Sequence, residues 1–378
     1  MRGPAGRRSF MKALMAPPFL GSAFSSAADV AKPVKLFGDG LGLSPVEYVD
    51  LLQKIIRDKG IDADFYSRGG VVEELETKMA AALGKERAIY VPTGTLANHL
   101  AVRVLAGERT RVVVPHESHL YNDSGDCAQQ LSQLNLVPLV SDTATFTLEQ
   151  VKEVVERTDS GRVTTGVGAI VIESPVRRKL GEVFDYAEMK KICSYARDTG
   201  VKTHLDGARL YMASAYTGIE PREYASHFDT VYVSTWKYFN SGSGAILTGS
   251  NEVIEGLYHT RRMFGGGLPA SWQFAAVALH YFDTFEAEYA QAVRTANEFF
   301  LLLKHERAFD IEMIPNGSNL FKLIVRGVDL ETFRDRLRAK GVWLSGPRPA
   351  LGGFIVGVNA TLNRTDAATL AKVFRECV

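Results

Sequence analysis

Two charged residues stand where burial makes charge expensive. Asp206 closes the strand-like run Val201-Lys-Thr-His-Leu, and the small turn Gly207-Ala208-Arg209 that follows opens a helix. Lys237 comes just after the apolar run Val231-Tyr-Val-Ser234 and leads into the loop Tyr238-Phe-Asn-Ser-Gly-Ser-Gly244. An aspartate alone at such a position would read as a helix cap. A lysine at the end of a buried strand is costly unless it is paired or used covalently. Presented together from nearby strand ends, the two meet the requirements of pyridoxal phosphate (PLP). The amine can bond to the cofactor's aldehyde carbon, and the carboxylate can keep the pyridine nitrogen protonated so that the ring accepts electrons.

Two further stretches fit the same chemistry. Thr93-Gly94-Thr95-Leu96-Ala97-Asn98 directly follows the run Ala88-Ile-Tyr-Val-Pro92. Small residues at a strand-to-helix turn leave backbone N–H groups free to hold a phosphate, here at Gly94 and Thr95. The same residues also suit an ordinary threonine N-cap. Ser234, shortly before Lys237, could add its hydroxyl to the phosphate. His119, in His116-Glu-Ser-His119 after the run Arg111-Val-Val-Val-Pro115, could stack on a flat ring or act as a base near neutral pH. A histidine there is equally compatible with a structural role.

Positioning these residues requires a particular kind of scaffold. Seven short apolar runs, beginning at Ala88, Arg111, Leu136, Gly168, Val201, Thr230 and Gly244, read as buried strands. Between most of them lie helical patterns, including Leu96 to Leu105, Leu148 to Arg157 and Ala187 to Asp198, while Val46 to Lys59 and Val71 to Leu83 precede the set. Continuous Val/Ile runs joined by helices imply a large, mostly parallel sheet with helices on both faces. Ligands of such sheets lie beyond the carboxyl ends of the strands, where the candidate residues fall. After Gly267 a long helical stretch, Trp272 to Arg307, leads to a smaller C-terminal α+β part. The expected division is a large domain over residues 29–285 and a small one over 286–378.

The remaining features narrow the function class. The chain has 378 residues and a formal net charge of +1, so there is no basic surplus of the kind nucleic acid demands. No apolar run is long enough for a stable membrane span. Three scattered cysteines cannot make a disulfide framework or a cysteine-built metal site, and no metal is expected. Residues 1–28 stand apart: Arg2, Arg7, Arg8 and Lys12 precede a short apolar stretch and then small residues, with no acid before Asp29. Arg7-Arg8-Ser-Phe-Met-Lys12 resembles a twin-arginine export motif, which implies a periplasmic or secreted protein exported after folding. An organelle presequence, or a cytoplasmic protein with an overlong start, would share parts of this pattern.

With these elements in order, the chain resembles the threonine aldolase / β-eliminating lyase family of PLP-dependent enzymes, whose fold is the aspartate-aminotransferase-like fold type I. The markers are Val72-EELETKMAAALGKERAIYVPTGTLANHL, Ser118-His119, Val201-KTHLDGARLYMASAYTG, Lys237 and Arg261-Arg-Met-Phe-Gly-Gly-Gly267. The resemblance implies a lyase that cleaves a β-hydroxy-α-amino acid to glycine and an aldehyde. Lys237 would bind PLP covalently, Asp206 would hold the pyridine nitrogen and His119 would stack on the ring and supply the base. Gly94 and Thr95 would hold the phosphate. Arg209 would contact the carboxylate of the small amino-acid substrate, and Asp39 would lie on the same substrate side. Arg262 would reach the phosphate of a neighbouring subunit in a homodimer or homotetramer. β-Elimination or transamination on the same scaffold, or PLP binding without turnover, are the alternatives the pattern allows.

The chain departs from the family pattern on the substrate side. Phe37-Gly-Asp-Gly40 replaces an Arg-Ser-Asp-Thr segment, and Glu173-Ser-Pro-Val176 replaces Glu-Asn-Thr-His. Leu268-Pro-Ala270 follows the triple glycine where an arginine is expected. The late strand Gly353-Phe-Ile-Val-Gly357 lacks the arginine that would dock a carboxylate, for which Arg68, Arg178 or Arg348 could substitute.

Overall fold

A computed structural model describes residues 32–378, and the expected export leader, residues 1–28, lies outside them. The seven expected runs form one sheet: β2 (Arg87–Val91), β3 (Arg111–Pro115), β4 (Asn135–Leu139), β5 (Val167–Glu173), β6 (Lys202–Asp206), β7 (Thr230–Ser234) and β8 (Ala245–Gly249), numbered after the short strand β1 (Val34–Lys35). Their spatial order is β2-β8-β7-β6-β5-β3-β4. Neighbours from β7 through β4 run parallel, whereas β8 is antiparallel to both β7 and β2. The sheet is thus mostly parallel with one reversed strand. Most of its residues are fully buried, as the unbroken Val/Ile runs require for strands covered on both faces.

Three helices matter for the site. α1 (Pro45–Lys59) begins with a Ser44–Glu47 capping box, and α2 (Gly70–Leu83) ends at Gly84 in the left-handed conformation. α3 (Gly94–Ala106) starts directly behind β2, with Thr93 Oγ1 accepting from the Leu96 N–H, and buries one face against the sheet. The stretch expected as one long helix is two, Trp272–Phe282 and Phe285–Lys304. The break falls at Asp283, whose carboxylate binds Lys78 at 2.8 Å, and it turns Phe285 into an aromatic cluster with Tyr238, Phe239 and Tyr289.

The C-terminal part holds a second, antiparallel sheet of β9 (Phe309–Met313), β10 (Leu320–Val325) and β12 (Gly353–Gly357), in the order β12-β10-β9. The amino-terminal β1 joins this part rather than the large sheet, pairing in parallel with β11 (Val342–Trp343). Asn359 Nδ2 ties the same segment further, donating to the carbonyls of Lys35 and Phe37. The result is a strap, residues 36–43, held by the C-terminal part and laid toward the carboxyl ends of β6 and β7. Among the described residues no helix is long and apolar enough to cross a membrane.

Gly168 in β5 shows how closely helix and sheet approach. A Cβ there would stand 2.5 Å from the carbonyl oxygens of Ala106 and Arg109. Gly168→Ala is therefore expected to cost about 1–3 kcal/mol, since backbone must shift to admit the methyl group. Gly256, inside a helix with nothing within 4 Å, is the contrast, and Gly256→Ala should gain about 0.5–1 kcal/mol. Thermal midpoints at one protein concentration would check both; equal shifts for the two variants would contradict the packing argument.

Candidate active site

The carboxyl ends of β5, β6 and β7 deliver Glu173, Asp206 and, two residues past Ser234, the Trp236-Lys237 pair. Together with the start of α3 they line a cavity of about 160 Å³, whose walls include Gly94, Thr95, Asn98, His119, Asp206, Tyr232 and Lys237. A larger cavity of about 750 Å³ adjoins it and shares Arg177, Arg209, Trp236 and Lys237 with the first. Lys237 therefore sits where the two spaces meet.

Asp206 is 3% exposed and fixed by a chain of hydrogen bonds. Asn98 Nδ2, one turn into α3, donates to Asp206 Oδ2 at 2.6 Å, and the Ala208 N–H donates to Oδ1. Asn98 Oδ1 in turn lies 2.9 Å from His204 Nε2, while His204 Nδ1 lies 2.8 Å from Thr230 Oγ1. Because the amide oxygen can only accept, Nε2 carries the proton and Nδ1 accepts from the threonine hydroxyl. Burial drives the His204 pKa down to about 4, so the ring is neutral and this arrangement is complete. Asn98 and His204 are the support that sequence reasoning passed over, although both stand inside the motifs it singled out. The signal for Asn98 was its spacing: it lies one helical turn after the phosphate-binding turn.

Lys237 is held at a pKa of about 8, chiefly by burial and then by the Arg209 charge. Its Nζ lies 5.8 Å from the centroid of the Trp236 ring. The strap packs against it closely: a Cβ on Gly40 would meet the Lys237 carbonyl oxygen at 2.3 Å, and the Leu41 N–H donates to Asn240 Oδ1 at 2.7 Å. The strap also brings Asp39 to Arg209, in a two-pronged pair with Nε–Oδ1 and Nη2–Oδ2 both at 2.9 Å. The two residues assigned to the substrate thus bind each other, and the Arg209 charge is balanced before any ligand arrives.

His119 lines the cofactor-sized cavity, and burial lowers its pKa. The Ser124 hydroxyl lies 3.1 Å from the His119 carbonyl and 3.2 Å from Nδ1; donating to the carbonyl, it accepts from an Nδ1–H tautomer of the ring. That leaves the His119 Nε2 lone pair as the basic atom. The His119 N–H donates to Glu173 Oε2 at 2.6 Å, and Glu173 Oε1 accepts from the Arg177 N–H at 3.0 Å. Glu173 is fully buried and directly opposite Asp206 in the sheet register. Burial, and then the Asp206 charge, push its pKa well above the ordinary carboxylate range.

The fit of PLP is judged from the residues themselves. Thr93 Oγ1 and the Thr93 carbonyl satisfy the N–H groups of Leu96 and Ala97, which leaves those of Gly94 and Thr95 for an anion. A Cβ on Gly94 would stand 2.0 Å from the Tyr232 hydroxyl, so only glycine leaves that turn its shape. Ser234 Oγ is buried without a hydrogen-bond partner, an orphan that a phosphate oxygen would satisfy. These features fit the cofactor. Ser234 is adjacent to the cavity-lining segment but is not itself among the lining residues. Arg262 is not brought in: its guanidinium stacks 4.2 Å from the Tyr66 ring centroid and lines a separate cleft with Arg68, Arg87 and Tyr258. Among the described residues no cluster of His, Cys, Asp or Glu is placed to hold a metal ion.

Comparison with known proteins places this geometry. Residues 59–319 match the profile of the family described as beta-eliminating lyase. The low-specificity L-threonine aldolase of Candida albicans is 27% identical over 236 residues, 61% of this chain and 62% of that protein. The low specificity L-threonine aldolase of Saccharomyces cerevisiae is 28% identical over 207 residues, 54% of this chain and 53% of that protein. The chain thus spans between half and two thirds of the length of these curated relatives. Among solved structures, one assigned as an L-allo-threonine aldolase from Listeria monocytogenes EGD-E superimposes with a TM-score of 0.74 at 27% identity, covering 92% of this chain and 96% of that one.

Lys237 yields a pH prediction. Only the neutral amine attacks an aldehyde, and a pKa of about 8 makes roughly a tenth of it neutral at pH 7, half at pH 8 and nine tenths at pH 9. Protein stripped of cofactor and mixed with PLP should form the borohydride-trappable adduct about fivefold faster at pH 8 than at pH 7, with less than a further twofold gain by pH 9. A rate still climbing tenfold per unit to pH 10 would mean that the lysine is not depressed. Lys237→Ala should trap no adduct at any pH. Separately, Asn98→Ala strips a donor from Asp206 and orphans the His204 N–H, which should cost about 1–3 kcal/mol of stability in denaturant.

Proposed function

The chain belongs to the β-eliminating lyase family, and from that premise we propose that it is a PLP-dependent carbon–carbon lyase of the threonine-aldolase type. Its substrate is a β-hydroxy-α-amino acid, and its products are glycine and an aldehyde. One observation carries the reading: a single cavity gathers a lysine of depressed pKa, an aspartate locked in place by Asn98 and a histidine whose pKa burial lowers. The names of the Candida, Saccharomyces and Listeria proteins support the choice of reaction.

Bound PLP supplies an electron sink for a bond broken at Cα. The chain's own residues do the rest. Asp206, held by Asn98 and the Ala208 N–H, would bind the pyridine nitrogen. Gly94, Thr95 and Ser234 would hold the phosphate at the positive end of α3. His119 Nε2 accepts the proton of the substrate's β-hydroxyl, with Nδ1 and the backbone fixed by Ser124 and Glu173. Lys237 both anchors the cofactor and, when its amine is released, carries a proton at Nζ for delivery to Cα.

The assembly expected from the sequence fits the position of Arg262. Lying outside its own cofactor cavity, it is free to serve a neighbouring copy in a homodimer or homotetramer. The twin arginines Arg7 and Arg8 support export of the folded protein to the periplasm or beyond.

Incubating the purified holoprotein with L-threonine and with L-allo-threonine tests the reaction. Acetaldehyde and glycine in equal amounts are the expected products; 2-oxobutyrate, or a pyridoxamine form of the cofactor, would replace the lyase reading with elimination or transamination. Asp206→Ala should keep PLP attached but lower kcat/KM by at least about a hundredfold, the scale of a lost charge interaction in the transition state. Near-normal turnover in that variant would remove the electron-sink assignment.

A further inference from the structure

An amino-acid substrate brings a carboxylate, and the chain must neutralise it somewhere beside Lys237. Five cations line the two joined cavities, and most are already committed. Lys237 is the cofactor's amine. Arg209 is clasped on two of its nitrogens by Asp39. Lys35 Nζ donates to the carbonyls of Leu41 and Gly42. Of the substitutes considered from sequence, Arg178 is paired with Asp123 and Glu117, and Arg68 lies over Tyr258 away from both cavities. Two guanidinium groups remain without a hydrogen-bond or ion-pair partner among the described residues, those of Arg177 and Arg348.

Geometry separates them. Arg348 lines only the larger cavity and not the one that holds Asp206 and His119. Arg177 lines both cavities, so it stands at their junction with Lys237. Its charge is felt by the His119 ring across the same space. Its backbone is pinned through its N–H to Glu173 Oε1, the carboxyl whose other oxygen holds the His119 N–H. One buried side chain thereby fixes the relative position of His119 and Arg177. A planar fork with free donors beside a reacting lysine suits the two oxygens of a carboxylate.

We propose that Arg177 is the residue that docks the substrate's α-carboxylate. The role falls to the turn after β5 because Asp39 has neutralised Arg209 and β12 offers no arginine. Arg177 determines specificity by demanding a carboxylate at the Cα that faces Lys237, so the substrates are α-amino acids and not the corresponding amines. The inference rests on the lyase reading for the identity of the substrate, but its test does not require turnover.

The test measures equilibrium binding to the holoprotein by the change in its visible absorbance, with L-alanine and with ethylamine, which is alanine without its carboxylate. The wild-type protein should prefer L-alanine. Arg177→Ala should weaken L-alanine binding by about 10–100-fold and leave ethylamine binding within about twofold, the loss expected of a charge-assisted pair. Arg177→Lys, which keeps the charge but not the fork, should fall between. Arg178→Ala, next door and already paired, should bind both as the wild type does. A wild-type protein that does not favour L-alanine over ethylamine overturns the proposal, as does a variant at Arg177 that weakens both ligands equally. Loss of L-alanine binding in Arg348→Ala but not in Arg177→Lys also overturns it. If L-alanine binding depends on Arg177 while no β-hydroxy amino acid yields an aldehyde, the docking role stands and the lyase reading falls.

Discussion

Two buried carboxyl groups sit side by side at the ends of β5 and β6, and much of the site follows from keeping them there. Glu173 and Asp206 are register partners, so neither can move away from the other without breaking the sheet. Like charges at that separation in a poorly solvated place cannot both persist cheaply. The pair is relieved unequally. Asp206 receives the Asn98 amide, the Ala208 N–H and the nearby charges of Lys237 and Arg209. Glu173 receives two backbone N–H groups but is fully buried, and it is the one driven toward its protonated form. The asymmetry assigns roles: one carboxyl group lines the cofactor-sized cavity, and the other becomes a structural clamp.

That clamp adds a buried link between two turns that the Arg178–Asp123 pair joins at the surface. His119 arrives from the turn after β3, and Arg177 from the turn after β5. Both backbones converge on Glu173, so the histidine that lines the cofactor cavity and the arginine that faces the larger one are set by the same side chain. On the opposite wall, the strap sets Asp39 and Gly40 against Arg209 and Lys237. The strap belongs by hydrogen bonding to β11, β12 and Asn359, which means that the C-terminal part reaches the active site through the amino-terminal segment. Any shift between the small antiparallel sheet and the large one would be transmitted to the Asp39–Arg209 pair.

How much of this was legible in the sequence depended on whether the signal was local. The strands of the large sheet were readable because each is a run of apolar residues, buried throughout most of the sheet and half-buried in the edge strand β4. β9 was not, because Phe309-Asp-Ile-Glu-Met313 is an edge strand half covered by β10, and its polar positions face outward. The break at Asp283 was hidden because it arises from a partner, Lys78, distant in the sequence. Within the site, Asp206, Lys237, Gly94, Thr95 and His119 were visible as unusual residues at strand ends, and the structure gathers them around one cavity. Ser234 lies beside that cavity and Arg262 outside it. Asn98, His204 and Glu173 were invisible as functional support because their importance lies in which atoms they bond across the sheet. The pairing of Asp39 with Arg209 was likewise out of reach: sequence named both residues but could not show that they would meet.

That pairing carries a consequence for how the site is built. A guanidinium with a carboxylate already on two of its nitrogens is an electrically balanced unit. It can orient neighbours, and it still raises the local positive potential at Lys237, but it adds little net attraction for a second carboxylate. The cofactor half of the site and the substrate half therefore obey different constraints. The cofactor half gathers Gly94, Thr95, His119, Asp206 and Lys237 around one cavity. The substrate half has exchanged its residues in the strap, in the turn after β5 and in β12 together. With no arginine in β12 and Arg209 already balanced by Asp39, a substrate carboxylate leaves a net need for one cation, and the turn after β5 supplies it.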